Sequence, residues 1–184
     1  DPLSGLLWST ISDRSTLTLT IARLPPQRDL ARLPLPLFDE NIRQRLVLPF
    51  VLVGNPSNDT LQAAGIVASW FGKLADFRTA RFPVSNEIPR EGNAVLVLAG
   101  RDVPAGIGLP SIVGPTVAEI PNPNDPLSTI LVIAGRTGPE AVAAATALAM
   151  GSRTLSGQSA VAQLDALAPR KPYDAPAWIQ TDHP

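Results

Sequence analysis

The chain has 184 residues, of which 45% are hydrophobic and 17% are charged, enough for one ordinary hydrophobic core. Its 15 basic and 16 acidic residues give a net charge of −1, so the composition does not favour a nucleic-acid-binding surface. The absence of cysteine excludes disulfides and thiolate metal sites.

The 20 prolines are roughly twice the average usage of about 5%, and proline-rich stretches tend to be stiff and extended. The first residues show no basic stretch followed by an apolar core, so no signal peptide is predicted. The longest uncharged apolar runs, 46–53 and 141–150, are shorter than the roughly 20 residues that span a bilayer. We therefore expect a soluble fragment of a longer protein.

Residues 14–22 alternate apolar and hydroxyl side chains, a pattern with period two that predicts a half-buried antiparallel strand. No hairpin partner is evident near it. The strand is interpreted as the end of a preceding β-rich domain, with an edge strand of the main sheet as the alternative.

From residue 48 the pattern changes to that of an α/β domain. The apolar run 48–54 ends in glycine and is typical of a strand buried on both faces. Helix-capping residues follow at 55–60, and apolar spacing predicts a helix over Thr60–Ala75. Its expected core face consists of Leu61, Ala64, Val67, Ala68, Phe71, Leu74 and Ala75.

Further strands are predicted at 79–84, 94–100 and 129–135, with a short strand at 116–120 that could sit at an edge, and a second helix at 138–150. Apolar strands alternating with helices predict a mainly parallel sheet over 48–150 that is covered on both faces. The strand residues expected in its core are Val51, Val53, Val95, Val97, Leu131 and Ile133.

Loop 54–60 follows the first strand of this sheet, where a nucleotide or flavin phosphate would bind. It has a single glycine instead of G-x-G-x-x-G, Asp59 would repel a phosphate, and Pro56 removes an amide donor. We interpret the loop as a capped helix start, with a degenerate phosphate or flavin site as the alternative, and we expect no cofactor.

Catalytic and metal-binding motifs are not recognisable. The only histidine, His183, is in the tail, so a Ser-His-Asp triad has no base in the folded region and zinc ligation is unsupported. A glycosidase-like pair of carboxylates stays an open alternative, because such residues come together only in the folded structure. The run Asn122–Pro126 could hydrogen-bond a sugar, but such residues more often form turns, and we favour a turn. The prediction is that the chain is not an enzyme.

Four aromatic or apolar residues are candidates for an interface. Ile66 and Trp70 lie beside the core face of the first helix and widen its apolar surface. Tyr173 and Trp178 stand in a polar, proline-spaced tail, where large aromatics have no role unless the tail docks on a neighbour. The alternative for Ile66 and Trp70 is a broadly buried helix.

Several stretches in order resemble the family of the periplasmic subunit of bacterial cellulose synthase. They are LPLPLFD at 33–39, AGIVASWFG at 64–72, NPNDP at 122–126 and RKPYDAP at 170–176. The resemblance implies a flavodoxin-like three-layer α/β sandwich with a mainly parallel sheet. It also implies four segments: 1–32 as the end of a carbohydrate-binding domain, 33–47 as a linker, 48–168 as the flavodoxin-like domain, and 169–184 as a linker onward.

The same resemblance implies a non-catalytic scaffold domain that spaces carbohydrate-binding modules along the path of an exported glucan. The implied partners are the cellulose synthase catalytic subunit in the membrane and the adjoining carbohydrate-binding domains, with glucan contact and self-association as further options. The implied location is the periplasm, with an inner-membrane anchor outside this chain. The family is linked to cyclic di-GMP, but this segment has no arginine-rich motif that would bind it.

Overall fold

The computed structural model of the chain describes residues 12–20, 22, 24–42, 44–100, 104, 106–151 and 155–162. These residues form a mixed α/β fold with a six-stranded sheet and a short two-stranded ladder beside it. The strands are β1 Leu46–Val47, β2 Phe50–Leu52, β3 Ala80–Arg81, β4 Val84–Ser85, β5 Ala94–Ala99, β6 Thr116–Asn122, β7 Asp125–Gly135 and β8 Ser159–Val161. The helices are α1 Asn58–Ala75 and α2 Gly138–Ala149.

The main sheet has the strand order β4-β2-β5-β7-β6-β8. The first four of these strands are parallel, β6 is antiparallel to β7, and β8 is antiparallel to β6. The mainly parallel α/β sheet predicted over 48–150 is confirmed. The edge position expected for 116–120 is wrong, because a tight turn folds β6 onto β7 and β8 covers the other side of β6.

The two-stranded ladder leads directly into the main sheet. Leu46 N donates to Thr79 O at 3.1 Å, and Leu48 N donates to Arg81 O at 3.0 Å. The pairing of β2 with β4 continues this ladder in the same direction.

The core confirms most of the expected strand positions. The buried ones are Val51, Val95, Val97, Leu131 and Ile133. Val53 is only half-buried, because the strand ends at Leu52 and the chain turns away at Gly54, whose φ of 66° suits glycine.

Both helices pack on one face of the sheet, in the same core cluster as Phe50, Val97 and Ile133. The other face is covered by loop residues Ile88, Ile107, Leu109 and Ile112. The expected second helical layer is not found in the described part of the chain. The described residues that connect β4 to β5 and β5 to β6 form loops, and apolar residues of these loops pack on this face.

Helix α1 begins two residues earlier than predicted, because Ser57 caps it by accepting a hydrogen bond from Thr60 N at 3.2 Å. Its buried stripe is Thr60, Ala63, Val67, Phe71 and Ala75. Leu61, expected in the core, is 49% exposed. The spacing of apolar residues predicts which side of α1 is apolar. The position of α2 decides which residues of that side are buried.

The strand predicted at 14–22 is wrong for residues 14–20 and 22, the described part of that segment, none of which belongs to a strand. Leu17 and Leu19 are strongly exposed there. A strand needs a neighbour to complete its backbone hydrogen bonds, and no described strand pairs with this segment.

Residues 30–38, by contrast, lie against the domain: Leu30, Leu37 and Phe38 are buried in the core cluster that holds the helices. The described part of the expected linker 33–47 therefore packs on the sheet and helices. The division of the chain into domains stays a prediction. None of the helices in the described ranges is long and apolar enough to cross a membrane.

Candidate functional site

The loop between β2 and α1 lies at the carboxyl end of a parallel strand, where α/β folds usually bind ligands. Ser57 Oγ and Thr60 Oγ1 are 3.0 Å apart, so both hydroxyls take part in the helix cap. The cavity beside them has a volume of about 80 Å³, whereas ligand pockets usually exceed roughly 300 Å³. The geometry is that of a capped helix start, with little room for a phosphate or flavin.

The asparagine-rich turn at 122–126 is built into the fold. Asn122 is completely buried, and its Nδ2 donates to Pro89 O at 3.1 Å and to Gly92 O at 2.9 Å. Its Oδ1 accepts from Asn124 N at 3.0 Å, and Asp125 Oδ2 accepts from Gly92 N at 3.1 Å. These bonds tie the β6–β7 hairpin to loop 86–93. The interpretation as a turn is confirmed, and the Asn122 amide is occupied by backbone partners.

Ile66 and Trp70 lie on the outer side of α1 and are half-buried. The Trp70 ring packs edge-on against Phe71, with ring centroids 4.7 Å apart and an interplanar angle of 67°. Ile66 and Trp70 line a shallow groove of about 490 Å³ that also includes Lys73 of α1 and Ala149 of α2. The two residues thus support the core on one side and leave an apolar groove on the other. Their role in an interface stays a prediction.

An exposed aromatic residue that the sequence pattern did not indicate lies two residues after the end of α1. Phe77 is 77% exposed, and the Arg78 guanidinium lies 5.2 Å from the centre of its ring. The same guanidinium lies 5.7 Å from the centre of the Phe38 ring. The Phe77 ring carries a cation–π contact and is exposed at the surface, where a partner could contact it. The signal available in the sequence was a phenylalanine two residues after the helix end, followed by arginine.

A buried carboxyl group is the most unusual electrostatic feature of the described residues. Glu119 on β6 is 2% exposed, and neither of its carboxyl oxygens has a hydrogen-bond partner among the described residues. Burial, together with the charge of Asp29, raises the pKa of Glu119 to about 7. The signal in the sequence was a charged residue within an otherwise apolar strand.

The other predicted site residues, Tyr173 and Trp178, lie outside the described residues, as does His183. Of the four interface candidates, the two in the described part of the chain, Ile66 and Trp70, line the same groove. Within the described ranges, no group of three or more histidine, cysteine or acidic side chains could hold a metal ion.

The fold defines a mixed α/β domain with a mainly parallel sheet and both described helices on one face. Residues 29–162 match the family described as "Cellulose synthase BcsB, first FD domain", and the chain belongs to that family. The resemblance noted from the sequence is thereby confirmed.

Relatives match over the whole chain. A "Cyclic di-GMP-binding protein" of Komagataeibacter xylinus is 45% identical over 100% of this chain and 23% of its own length. "Cellulose synthase 1" of the same species is 46% identical, over 100% of this chain and 12% of its own length. A "Cyclic di-GMP-binding protein" of Pseudomonas fluorescens strain SBW25 is 41% identical, over 100% of this chain and 25% of its own length. The chain thus spans a quarter or less of the length of these curated relatives.

Proposed function

We propose that this chain is a non-catalytic scaffold domain of a bacterial cellulose synthase complex, located in the periplasm. Its role is to space carbohydrate-binding modules along the path of the exported glucan. Family membership supports the connection to cellulose synthesis. One observation supports the non-catalytic role. At the carboxyl end of β2, where a cofactor would bind, Ser57 caps α1 and the cavity beside it measures only about 80 Å³.

The proposed organisation follows the family. Residues 1–32 end a carbohydrate-binding domain, 33–47 link it to the flavodoxin-like domain at 48–168, and 169–184 lead onward. The proposed partners are the catalytic subunit in the membrane, the adjoining carbohydrate-binding domains and, as further options, the glucan and a second copy.

Two surfaces are proposed to meet these neighbours. The groove beside Ile66 and Trp70 is one, because it is apolar, shallow and open. The tail with Tyr173 and Trp178 is the other, and burying one such aromatic would contribute roughly 1.5–3 kcal/mol, enough to set the direction of a linker. Hydrogen exchange over 169–182, in this chain and in the full subunit, tests the tail. Equal and complete exchange in both would show a free tether.

The scaffold role is tested in the full subunit, produced together with its catalytic subunit. Asn55→Ala alters the exposed strand-end loop, and a scaffold domain should tolerate it with unchanged cellulose output. Ser69→Arg places a charge in the groove without removing a core contact, and we expect it to lower copurification of the catalytic subunit several-fold. Leu61→Arg is the matched control, since Leu61 is exposed on the same helix but does not line the groove.

Two outcomes would contradict the proposal. Loss of cellulose output in Asn55→Ala, at normal subunit abundance, would point to chemistry at the strand end. If the catalytic subunit copurifies equally with Ser69→Arg and with Leu61→Arg, the groove does not contact the catalytic subunit.

The alternative is a nucleotide- or flavin-binding α/β domain, or an enzyme, with a degenerate site. The names of several relatives, which describe cyclic di-GMP binding, favour testing a nucleotide. A purified domain that carries a flavin would be yellow, so its absorbance spectrum gives a first discrimination.

A further inference from the structure

Residues Arg28–Arg32, here called the strap, cross the sheet on the side that carries the helices. At one end, an Arg28 guanidinium nitrogen donates to Pro126 O at 2.8 Å, at the start of β7. At the other end, Leu30 N donates to Gly157 O at 2.8 Å, just before β8. Leu30 is buried in the core, so the strap is held by the Arg28 side chain, by a backbone bond and by an apolar anchor.

The strap is held a second time near β8, because Asp29 Oδ1 accepts from Gly157 N at 2.8 Å. Strand β6 lies between β7 and β8, so the strap passes over β6. Glu119 is the residue of β6 that lies beneath it, and the charged groups that face its carboxyl are those of Asp29, Arg28 and Arg32, all from the strap.

Glu119 lies in an environment that favours its neutral form. Its carboxyl is buried without a hydrogen-bond partner among the described residues, and so is the hydroxyl of Thr129 on the neighbouring strand, on the same face of the sheet. The Asp29 amide and the positive charges of Arg28 and Arg32 act to lower the pKa of Glu119, but burial outweighs them. The outcome is a pKa of about 7 for Glu119, well above the ordinary value of 4.5.

We propose that protonated Glu119 allows the strap to lie closed over β6, and that ionised Glu119 favours its release, so that the strap is a pH-sensitive latch. When the strap is open, water can reach the Glu119 carboxylate and stabilise its charge. When the strap is closed, the carboxyl is buried and lacks this hydration. Closure therefore binds a proton, and raising the pH opens the latch. The strap also determines where residues 24–27 join the domain, so the latch controls how the preceding segment is held.

The size of the effect follows from linkage. With a Glu119 pKa of about 7 when closed and 4.5 when open, closure becomes about 70-fold less favourable between about pH 5 and about pH 8. Opening of the strap should break the bonds of Leu30 N and Gly157 N while leaving the central sheet intact.

Hydrogen exchange of the 184-residue chain, corrected for intrinsic rates, tests the latch. The protection of the Leu30 and Gly157 amides should fall by about 70-fold between the two pH values. It should also stay below that of Val95 N, which donates to Pro49 O in the sheet and reports global unfolding. Glu119→Gln should abolish the fall, whereas Glu140→Gln, at a surface carboxyl of α2, should keep it.

The latch is overturned if the strap amides exchange only with global unfolding, or if Glu119→Gln shows the same fall as the unaltered chain. A second measurement applies even where Glu119→Gln does not fold. Carboxyl NMR should give a Glu119 titration midpoint near pH 7, and Leu30→Ala, which removes the apolar anchor of the strap, should move that midpoint towards 4.5. An identical midpoint in both proteins would show that the strap does not control the carboxyl.

Discussion

Asp59 in the first turn of α1 contacts the backbone of Gly138 at the first residue of α2. A Cβ atom on Gly138 would lie 2.6 Å from the Cβ of Asp59 and 2.8 Å from its carboxyl carbon. The two helix starts therefore lie side by side at the carboxyl ends of the parallel strands. The Asp59 carboxylate sits near the positive ends of both helix dipoles, which stabilises it there.

This contact predicts that Gly138→Ala destabilises the domain, because the added methyl group forces the two helix starts apart. We expect a loss of about 1–3 kcal/mol in the free energy of unfolding, measured by denaturant titration. Gly65→Ala is the matched control: a Cβ at Gly65 meets nothing within 4 Å, and alanine is the better helix former. A Gly138→Ala protein as stable as Gly65→Ala would contradict the close packing of the helices.

The buried Glu119 predicts a pH dependence of global stability. Its pKa is about 7 in the folded chain and near 4.5 in the unfolded chain, so the folded state binds the extra proton between these values. Stability should therefore fall as the pH rises from about 4.5 to about 7, by about 3 kcal/mol in total, and change little above that range.

Urea titrations at several pH values check this dependence against Glu119→Gln, in which the side chain stays neutral. The variant should lose the Glu119 contribution to the pH dependence. Glu140 contributes a pH dependence of stability with the opposite sign. Its hydrogen bonds from Arg136 lower the pKa of Glu140, so this residue favours the folded state at higher pH. A variant curve parallel to that of the unaltered chain would mean that Glu119 is hydrated in the folded protein.

The hairpin turn predicts a large difference between two neighbouring asparagines. Asn122→Ala leaves the Gly92 carbonyl and the Asn124 amide without their side-chain partner, and should cost about 3 kcal/mol of unfolding free energy. Asn124→Ala removes only a bond of 3.3 Å from an exposed side chain to Pro89 O, and should change stability by less than about 0.5 kcal/mol. Thermal unfolding of the two variants compares them directly, and equal melting temperatures would refute the structural role of Asn122.

The small cavity at the carboxyl end of β2 predicts that the chain does not bind FMN, NAD or cyclic di-GMP with micromolar affinity. Loop 54–60 has one glycine, and its Ser57 hydroxyl is engaged in the helix cap. Titration calorimetry with each compound is the measurement. Micromolar binding of any one of them would support the alternative of a ligand-binding domain.

The strands of the central sheet could be predicted because a parallel strand covered on both faces is a continuous apolar run. The stretches 94–99 and 129–135 are of this kind, and they pair as β5 and β7. Strand β8, Ser159–Val161, was not predicted: three residues with little apolar pattern become a strand only because β6 offers them a free edge.

Part of the candidate site could likewise be predicted from the sequence, and part could not. Apolar spacing identified Ile66 and Trp70 as additional to the core face of α1, and the groove beside them depends on where α2 ends. The proposed latch could not be predicted, since Glu119 is far from Arg28 and Asp29 in the chain. Only the crossing of the strap over β6 makes their charges act on one another.

The sequence by itself determined the α/β class, the starts and ends of the helices to within two residues, and the family, since all of these depend on local pattern. Tertiary structure alone decided that the helices share one face, that 116–122 lies inside the sheet, and that 14–20 forms no strand. The physical reason is that hydrophobic periodicity and capping act over a few residues. Sheet order and the burial of a carboxyl depend instead on which distant segments supply hydrogen bonds and exclude water.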